Sequence, residues 1–518
     1  MDSIISYGQK LAAAGLPGNG GKLDEVRAGV EIPGVYPRSL TLVEGAALFL
    51  ARDGDYKLLA VLGNESVLSR FDGEEVRVER LTVKVVKRTP EAAVTLRELL
   101  PYTAPVGLKD RRTTFGTGDR LGEATPAHAR SVGSFKATPV LAQQSVRELT
   151  LTGRDYPTVM DDVTWGVFQE GYRGGYGADG DHLKDADQIA DALAAGVTMI
   201  TADVSEEIHP EVSELNEAEL ADRYRELDPA IRKLYEERYL GKTVGVTDNQ
   251  GLVHGIEYDE TSLARAVLTF GDAVDYAVGL YQDLLADRGV DFEMSIDETE
   301  APTDPAAHYL VAQELWDAGV ELYSLAPRFT GEFQKGIDYI GDVNKFETEF
   351  RAHAAIADSL GHKLSIHSGS DKFAIFPVIG RYTGFRFHHK TAGTSWLEAM
   401  KLVAQKDPSL YRAMHATALE TYDYNRRLYH ITADPEQIPD LKETSDEQLV
   451  SLFENDHQRQ VIHIAYGTLL LEGPSGPSEF RDSFFRVLRT NEDEHYNLVA
   501  RHMDKHLTTL GVPGVEQV

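Results

Sequence analysis

Acidic, basic and imidazole side chains recur in this 518-residue sequence directly after short apolar runs. They are Asp181, His182, Asp203, Asp297, Glu298, Arg328, His367, Ser368, Ser370, Lys372, His388 and Lys390. Histidine and carboxylate groups bind divalent metals and transfer protons, whereas arginine, lysine and backbone N–H groups bind anions. If these residues lie together in one cleft, they would bind a metal ion and catalyse acid–base chemistry on a small anionic molecule.

Eight apolar runs, most of them followed by helical segments, predict the elements that bring these residues together. The predicted strands are 113–121, 140–145, 175–183, 197–204, 292–298, 321–328, 363–368 and 382–390. Two of the helices, 187–195 and 305–318, end at Gly196 and Gly319, as helices commonly do. We therefore predict an α/β fold, a (β/α)8 TIM-type barrel with its active site at the carboxyl ends of the strands.

Three further regions surround the predicted barrel, which spans residues 106–395. Residues 1–105 are typical of a β-rich accessory region, with short apolar runs separated by Asp-Gly turns. Residues 205–290, after strand four, predict a helical insertion with helices at 218–239 and 261–288. Residues 396–518 predict a helical C-terminal extension. Insertions at the rim of a barrel often contact other subunits, so we expect a homo-oligomer.

Composition narrows the possible partners and cofactors. The net charge of −31 argues against a nucleic-acid partner, because no basic stripe offsets it. The absence of cysteine means that any metal must be held by His, Asp or Glu. No segment has the length of a membrane span, and no signal-peptide pattern is visible, so we expect a cytoplasmic protein without a membrane partner. No Gly-x-Gly-x-x-Gly turn joins a strand to a helix, so we expect no NAD.

Two histidines are the first candidates for metal ligands. His182 and His367 both follow apolar strand residues and have neighbours that can orient their rings. His388 and His389 must point to opposite sides of their strand; His388 shares its face with Lys390, so we expect it to point inward. Four other histidines are interpreted as structural: His128, His209, His254 and His308.

The segments 139–145, 181–205 and 364–370 resemble the second, third-to-fourth and seventh strands of class II aldolases. That resemblance implies that Asp181 is the acid/base and that His182 and His367 hold the metal. The sequence departs from the aldolase pattern at strand six, which ends in Arg328 instead of a third histidine. The third ligand must come from elsewhere, with His388 the first choice and Glu298 the second. Zinc fits such a site best, with Mn, Co, Ni or Fe as alternatives.

A second resemblance covers most of the barrel. The strings at 115–122, 124–126, 297–300, 324–329, 367–373 and 390–396 together resemble the tagaturonate/fructuronate epimerase family. The family is understood to interconvert two ketohexuronates that differ at the hydroxyl-bearing carbon β to the ketone. The C–H bond of that carbon is not acidified by the ketone. The resemblance therefore implies retro-aldol cleavage followed by re-addition to the other face of the aldehyde.

The implied mechanism assigns further roles. Asp181 would take the hydroxyl proton, and Glu298, with Asp119 in reserve, would serve the opposite face. The substrate carboxylate would bind the backbone around Ser368 and Ser370, helped by Lys372 or Lys390, or would pair with Arg328 instead.

Four alternatives stay open at this point. They are a class II-type aldolase that releases its fragments, a 4-epimerase of neutral ketoses such as fructose and tagatose, a hydride-shift isomerase, and a sugar-binding barrel without activity.

Overall fold

The computed structural model describes residues 1–18, 23–29, 32–79 and 81–515, so parts of the predicted accessory region and of the C-terminal extension lie outside the described residues. An antiparallel sheet of order β1-β2-β3-β5-β4 forms the N-terminal part. Its elements are α1 (Asp2–Ala13), α2 (Leu23–Ala28), β1 (Val35–Val43), β2 (Ala46–Asp53), β3 (Tyr56–Gly63), α3 (Glu65–Leu68), β4 (Glu74–Val78), β5 (Leu81–Lys87) and α4 (Pro90–Leu99).

Both faces of this sheet are covered, which explains the unbroken apolar run 46–51 in β2. Phe49 faces Tyr7 of α1, with ring centroids 4.7 Å apart. Leu48 belongs to the cluster on the opposite face, which includes Trp165 and Phe168 from a barrel helix. The sheet is therefore packed between α1 and the barrel.

The first half of the barrel comprises four parallel strands and their helices. In order they are β6 (Thr113–Gly116), α5 (Thr125–Val132), β7 (Thr138–Ser145), α6 (Val146–Thr152), α7 (Tyr156–Glu170), β8 (Gly177–Leu183), α8 (Ala186–Ala194) and β9 (Met199–Asp203). All positions of β7 and β9 are buried, as expected for strands that lie between a filled lumen and a ring of helices.

The insertion after β9 differs from its prediction in two respects. It contains α9 (Glu217–Glu226), α10 (Pro229–Tyr239), β10 (Thr243–Thr247), β11 (Val253–Glu257) and α11 (Glu260–Leu280). The predicted helix 218–239 is two helices, because Pro229 lacks an N–H and Asp228 caps the second helix by accepting from Ala230 N at 2.7 Å. The antiparallel hairpin β10–β11 was not predicted. The helix predicted at 261–288 is present, because α11 continues from Leu280 as a π-helical turn over Tyr281–Leu285.

The second half of the barrel closes the cylinder. Its elements are β12 (Asp291–Ile296), α12 (Pro305–Asp317), β13 (Leu322–Pro327), α13 (Val343–Leu360), β14 (Lys363–Ile366), α14 (Phe376–Thr383) and β15 (Phe387–Lys390). β9 pairs with β12 and β15 pairs with β6, both in parallel. The eight strands form one closed barrel, so the predicted fold class is confirmed.

The C-terminal part is helical apart from a short hairpin. It contains α15 (Thr394–Lys406), α16 (Pro408–Glu420), α17 (Tyr422–Asn425), α18 (Asp456–Ile464), α19 (Tyr466–Leu470), β16 (Glu472–Gly473), β17 (Gly476–Pro477), α20 (Arg481–Thr490) and α21 (Glu492–Thr509). These helices share a core that includes Trp396, Tyr411 and Phe484. Among the described residues, no helix is long and apolar enough to cross a membrane.

Candidate active site at the carboxyl end of the barrel

A cavity of about 590 Å³ opens where the barrel strands end. Residues at or after the ends of seven of the eight strands line it, all but β9, together with a segment of the C-terminal part that includes Tyr429. The predicted site residues that line it are Asp181, His182, Glu298, Arg328, His367, Ser368, Ser370 and Lys390. The structure does not place Asp119, Lys372 or His388 among the lining residues.

Lys390 lies at the centre of a cluster of carboxylates below the cavity. Its Nζ is 2.6 Å from Asp181 Oδ1, 3.0 Å from Asp179 Oδ2 and 2.7 Å from Glu293 Oε1, and it donates to Thr201 Oγ1 at 2.7 Å. Burial alone would lower the pKa of Lys390, but the three carboxylates raise it well above its usual range. In this arrangement the charge of Lys390 is paired with carboxylates of the protein, so the geometry does not favour its role in binding a substrate carboxylate, which stays a prediction.

Removal of this charge should destabilise the protein strongly. We expect Lys390→Met to lower the free energy of unfolding by about 3–5 kcal/mol at pH 7.5, because three buried carboxylates lose their counter-ion. Burial raises the pKa of Asp179 to about 6 even beside Lys390. A carboxyl whose pKa is raised in the folded state stabilises it at low pH, and this contribution is lost as pH rises through the folded pKa. The loss of unfolding free energy caused by Lys390→Met should therefore be smaller at pH 5 than at pH 7.5.

Thermal and urea unfolding of Lys390→Met at pH 5 and 7.5 test this expectation. Lys345→Met, which removes an exposed lysine that is 62% accessible, is the matched control. Equal stability of the two variants at pH 7.5 would contradict the importance of the Lys390 cluster.

His182, Asp297 and His367 form a group whose ligand atoms all lie within 4.8 Å of one another. His182 Nδ1 is 2.9 Å from Asp181 Oδ1, and His367 Nε2 is 2.8 Å from Glu293 Oε1. Each ring therefore has one nitrogen oriented by a carboxylate and the other turned to the group, the arrangement typical of metal-bound histidine.

The donor set of this group fits a divalent metal ion. Ligand atoms around a zinc ion with bonds of ~2.1 Å lie about 3.4 Å apart, so little adjustment is needed. His367 Nδ1 is buried without a hydrogen bond, 3.2 Å from Asp297 Oδ1. Burial alone would lower the pKa of His367, but Asp297 and Glu293 raise it to about 10, which indicates a strong preference for positive charge at this point. Two imidazoles and a carboxylate suit Zn, and also Mn, Co, Ni or Fe.

His388 does face the barrel lumen, but it does not belong to this group. Its Nδ1 is 3.0 Å from Thr114 Oγ1 and its Nε2 is 3.4 Å from Gln143 Nε2, one layer deeper in the barrel. Its role as third ligand stays a prediction, and the geometry favours Asp297 in that place. The alternation of side chains along a strand could have identified Asp297 as a ligand from sequence. Glu293 and Asp297 are an even number of positions apart, so they share the inward face of β12 and its continuation. Glu298, the second choice, is exposed.

The side chains of Asp119 and Lys372 form hydrogen bonds with backbone groups and do not line the cavity. Asp119 accepts from Leu121 N at 2.9 Å and from Ala124 N at 2.6 Å, which uses both its oxygens to shape the loop before α5. Lys372 donates to three carbonyl oxygens, that of Ser370 among them at 2.9 Å. The structure does not bring either side chain to the cavity, so the acid–base role of Asp119 and the anion-binding role of Lys372 stay predictions that this geometry does not favour.

A second group of potential ligands, Asp371, His502 and His506, lies behind the turn after β14. His506 Nε2 accepts the backbone N–H of Asp371 at 2.9 Å, and Arg459 Nη2 lies 2.9 Å from Asp371 Oδ2. The Nε2 lone pair of His506 is thus used in a hydrogen bond, and the charge of Asp371 is already neutralised by Arg459. This group is better explained as the support of the turn that presents Ser368 and Ser370 to the cavity.

Comparison with known proteins agrees with the barrel fold and identifies the family. The family model of UxaE, described as tagaturonate epimerase, matches residues 36–510. The tagaturonate/fructuronate epimerase of Thermotoga maritima is 40% identical over 481 residues, which cover 92% of this chain and 96% of the relative. The native crystal structure of fructuronate-tagaturonate epimerase UxaE from Cohnella laeviribosi is similar with 45% identity and a TM-score of 0.89, covering 95% of this chain and 99% of that one.

A glycerol complex of the Cohnella laeviribosi enzyme matches equally well, with a TM-score of 0.89 and 45% identity over 95% of this chain and 99% of that one. These relatives are all named as epimerases, and the family model spans nearly the whole described chain. From its sequence, its barrel and its relatives, this chain is an enzyme of the tagaturonate epimerase family.

Proposed function

We propose that this enzyme is a metal-dependent epimerase that interconverts D-tagaturonate and D-fructuronate. The named activity of the Thermotoga and Cohnella relatives supports the substrate pair. The observation that supports a metal is the convergence of His182, Asp297 and His367, with two more carboxylates orienting the rings. The cytoplasmic location and the homo-oligomeric state stay predictions.

The reaction proposed is cleavage and re-formation of one carbon–carbon bond. The hydroxyl on the carbon β to the ketone loses its proton, and the bond between the α and β carbons breaks. Its electron pair moves to the ketone fragment, which becomes an enediolate of dihydroxyacetone, while the β carbon becomes an aldehyde. The aldehyde turns, and the enediolate adds to its other face. When bound, a divalent ion would supply Lewis acidity to the ketone oxygen.

Asp181 is the proposed acceptor of the hydroxyl proton. Its Oδ1 is engaged by Lys390 and His182, whereas its Oδ2 makes no hydrogen bond with any described residue and Asp181 lines the cavity. Burial alone would raise the pKa of Asp181, but Lys390 and His182 lower it well below its usual range. The group is thus ionised and fixed in place, as a general base must be.

Glu298 is the proposed acid/base for the opposite face of the aldehyde. It lines the cavity from the loop after β12, is exposed, and makes no hydrogen bond with a described residue, so it can move toward a substrate. Arg328 lines the same cavity and is the predicted partner of the substrate carboxylate, with the backbone around Ser368 and Ser370.

NMR of the purified enzyme with each substrate tests the proposal. Separate incubations with D-fructuronate and D-tagaturonate should reach the same mixture, and prior treatment with a chelator should stop the conversion. Re-addition of Zn or Mn should restore it, which controls for damage by the chelator. A lack of conversion by metal-supplied enzyme would exclude hexuronate epimerisation, and the same assay with fructose and tagatose would then test the neutral-sugar alternative.

Labelled fragments distinguish bond cleavage from transient oxidation. During turnover, ¹³C-dihydroxyacetone should enter the hexuronates at the three carbons of the ketone fragment. If the hexuronates contain no label and the extract of the denatured protein contains NAD, the mechanism is transient oxidation instead of bond cleavage. Free aldehyde accumulating in step with substrate loss would instead indicate an aldolase.

A further inference from the structure

Three of the cationic side chains around the cavity already have partners in the protein. Arg120 pairs with Glu148, its Nε donating to Glu148 Oε1 at 2.7 Å. Lys390 is held by three carboxylates, as described above. These two charges are not free to bind the carboxylate of a substrate without loss of an ion pair. Arg147 donates from Nη1 to the carbonyl of Leu428 at 2.9 Å, so its position is set by a neutral group.

Two cations of the cavity lining are different. The charged groups of Arg328 and Lys335 make no hydrogen bond or ion pair with any residue that the structure describes, and both lie on the segment between β13 and α13. Burial lowers the pKa of Lys335, although Glu148 opposes this. An ammonium group kept in a cleft without a partner is costly to the folded protein, which is typical of a group reserved for a ligand.

The backbone that carries Lys335 is fixed from below by a buried lysine. Lys372 Nζ donates to the carbonyl of Gln334 at 2.8 Å and to that of Ile337 at 2.6 Å, so it joins the residues on either side of Lys335. Its third contact, at 2.9 Å, is the carbonyl of Ser370 in the turn after β14. One buried side chain thus ties the Lys335 segment to a second wall of the cavity.

Helix α18 fixes the two remaining carbonyls of the segment. Arg459 Nε donates to the carbonyl of Gly336 at 2.6 Å, and Gln460 Nε2 donates to that of Lys335 at 3.3 Å. Gly336 has a φ of +77°, a left-handed conformation that lets the chain turn directly after Lys335. All four carbonyls from 334 to 337 are therefore held by side chains, while the lysine they present stays unpaired.

We propose that Lys335 pairs with the carboxylate of the substrate and determines the preference for hexuronates over neutral ketoses. This assignment rests on the proposed function and names the residue that distinguishes charged from neutral substrates. An unpaired ammonium on a rigid backbone binds a negatively charged ligand more tightly than a neutral one. A neutral hydroxymethyl group at this position would leave the ammonium without an ion-pair partner. The backbone of Arg328 is held as well, because its N–H donates to Thr303 Oγ1 at 2.9 Å and its carbonyl accepts from Thr303 N at 2.8 Å, so Arg328 stays the predicted second cation for the same carboxylate.

Calorimetric binding of two probes separates charge recognition from catalysis. D-Galactonate and galactitol differ only in a carboxylate against a hydroxymethyl group. For metal-loaded wild-type enzyme we expect tighter binding of D-galactonate. Lys335→Met should weaken it by about tenfold to a hundredfold, the range of a hydrogen bond to a charged group, and leave galactitol binding unchanged. Lys335→Arg should retain most of the D-galactonate affinity because the charge is kept.

Lys233→Met is the matched control, since it removes an exposed lysine that is 72% accessible and lies on α10. Thermal unfolding of each variant verifies that it is folded. The proposal is overturned if wild-type enzyme binds both probes equally, if Lys335→Met weakens both probes alike, or if it matches Lys233→Met. Absence of epimerisation in the NMR assay would instead refute the proposed function, while the binding comparison would still report on Lys335.

Discussion

Replacement of His367 by glutamine is expected, under the proposed metal-dependent reaction, to prevent binding of a divalent ion and to reduce hexuronate epimerisation roughly a thousandfold. The loss corresponds to an electrophilic contact worth about 4 kcal/mol in the transition state. Glutamine keeps much of the volume of histidine but offers no imidazole nitrogen at the position 3.2 Å from Asp297 Oδ1. Elemental analysis of the purified variant measures the metal, and the NMR assay measures turnover.

His388→Gln is the matched control because it removes another buried histidine of the barrel lumen. Its ring contacts Thr114 and Gln143 and does not belong to the group of potential ligands, so the variant should keep its metal. Asp297→Asn and Glu298→Gln form a second comparison, in which the first should lose metal and the second should not. Metal loss from both His388→Gln and His367→Gln, with metal retained in Asp297→Asn, would restore the ligand set expected from sequence.

The barrel was predictable because its strands satisfy local rules. Strands such as β7, β9 and β13 contain short apolar runs, since their faces are buried, and glycines such as Gly196 and Gly319 end helices of the barrel with positive φ. The hairpin β10–β11 escaped prediction because its strands have only five residues each; Val244 and Val246 alternate with polar residues or glycine, but only Val246 and Ile256 are buried. Hairpins that depend on such sparse contacts carry little periodic signal.

The candidate site was predictable only where one strand end determines a residue's position. Asp181, His182 and His367 follow directly from that rule. The partners of Lys390 did not, because Asp179 and Glu293 reach it from other strands, and the register of a closed barrel cannot be deduced from one strand.

Lys335 was not identified from sequence for a different reason. It lies in an irregular segment whose conformation is set by contacts with Arg459 and Gln460, more than a hundred residues later in the chain. Local patterns cannot encode such a position. The C-terminal helices, which offered no chemical motif, thereby act on the cavity by fixing the backbone of its walls.

Replacement of Asp181 by asparagine should reduce turnover by about 10²- to 10⁴-fold while the metal stays bound. Asparagine is isosteric, and its carbonyl oxygen can still accept from Lys390, but an amide cannot take the proton of the β hydroxyl. Lys390 keeps Asp179 and Glu293 as counter-ions, so the fold should survive. Initial rates by NMR and metal content by elemental analysis are measured on the same preparation.

Asp179→Asn gives the sharpest control for this experiment, because Asp179 also contacts Lys390 but does not line the cavity. If loss of a carboxylate beside Lys390 were the cause of inactivity, both variants would lose turnover to a similar extent. If proton transfer is the cause, Asp181→Asn alone should be inactive, since its Oδ2 is the oxygen free of other contacts. Near wild-type turnover of Asp181→Asn would move the role of base to Glu298, the remaining predicted acid–base residue on the cavity wall.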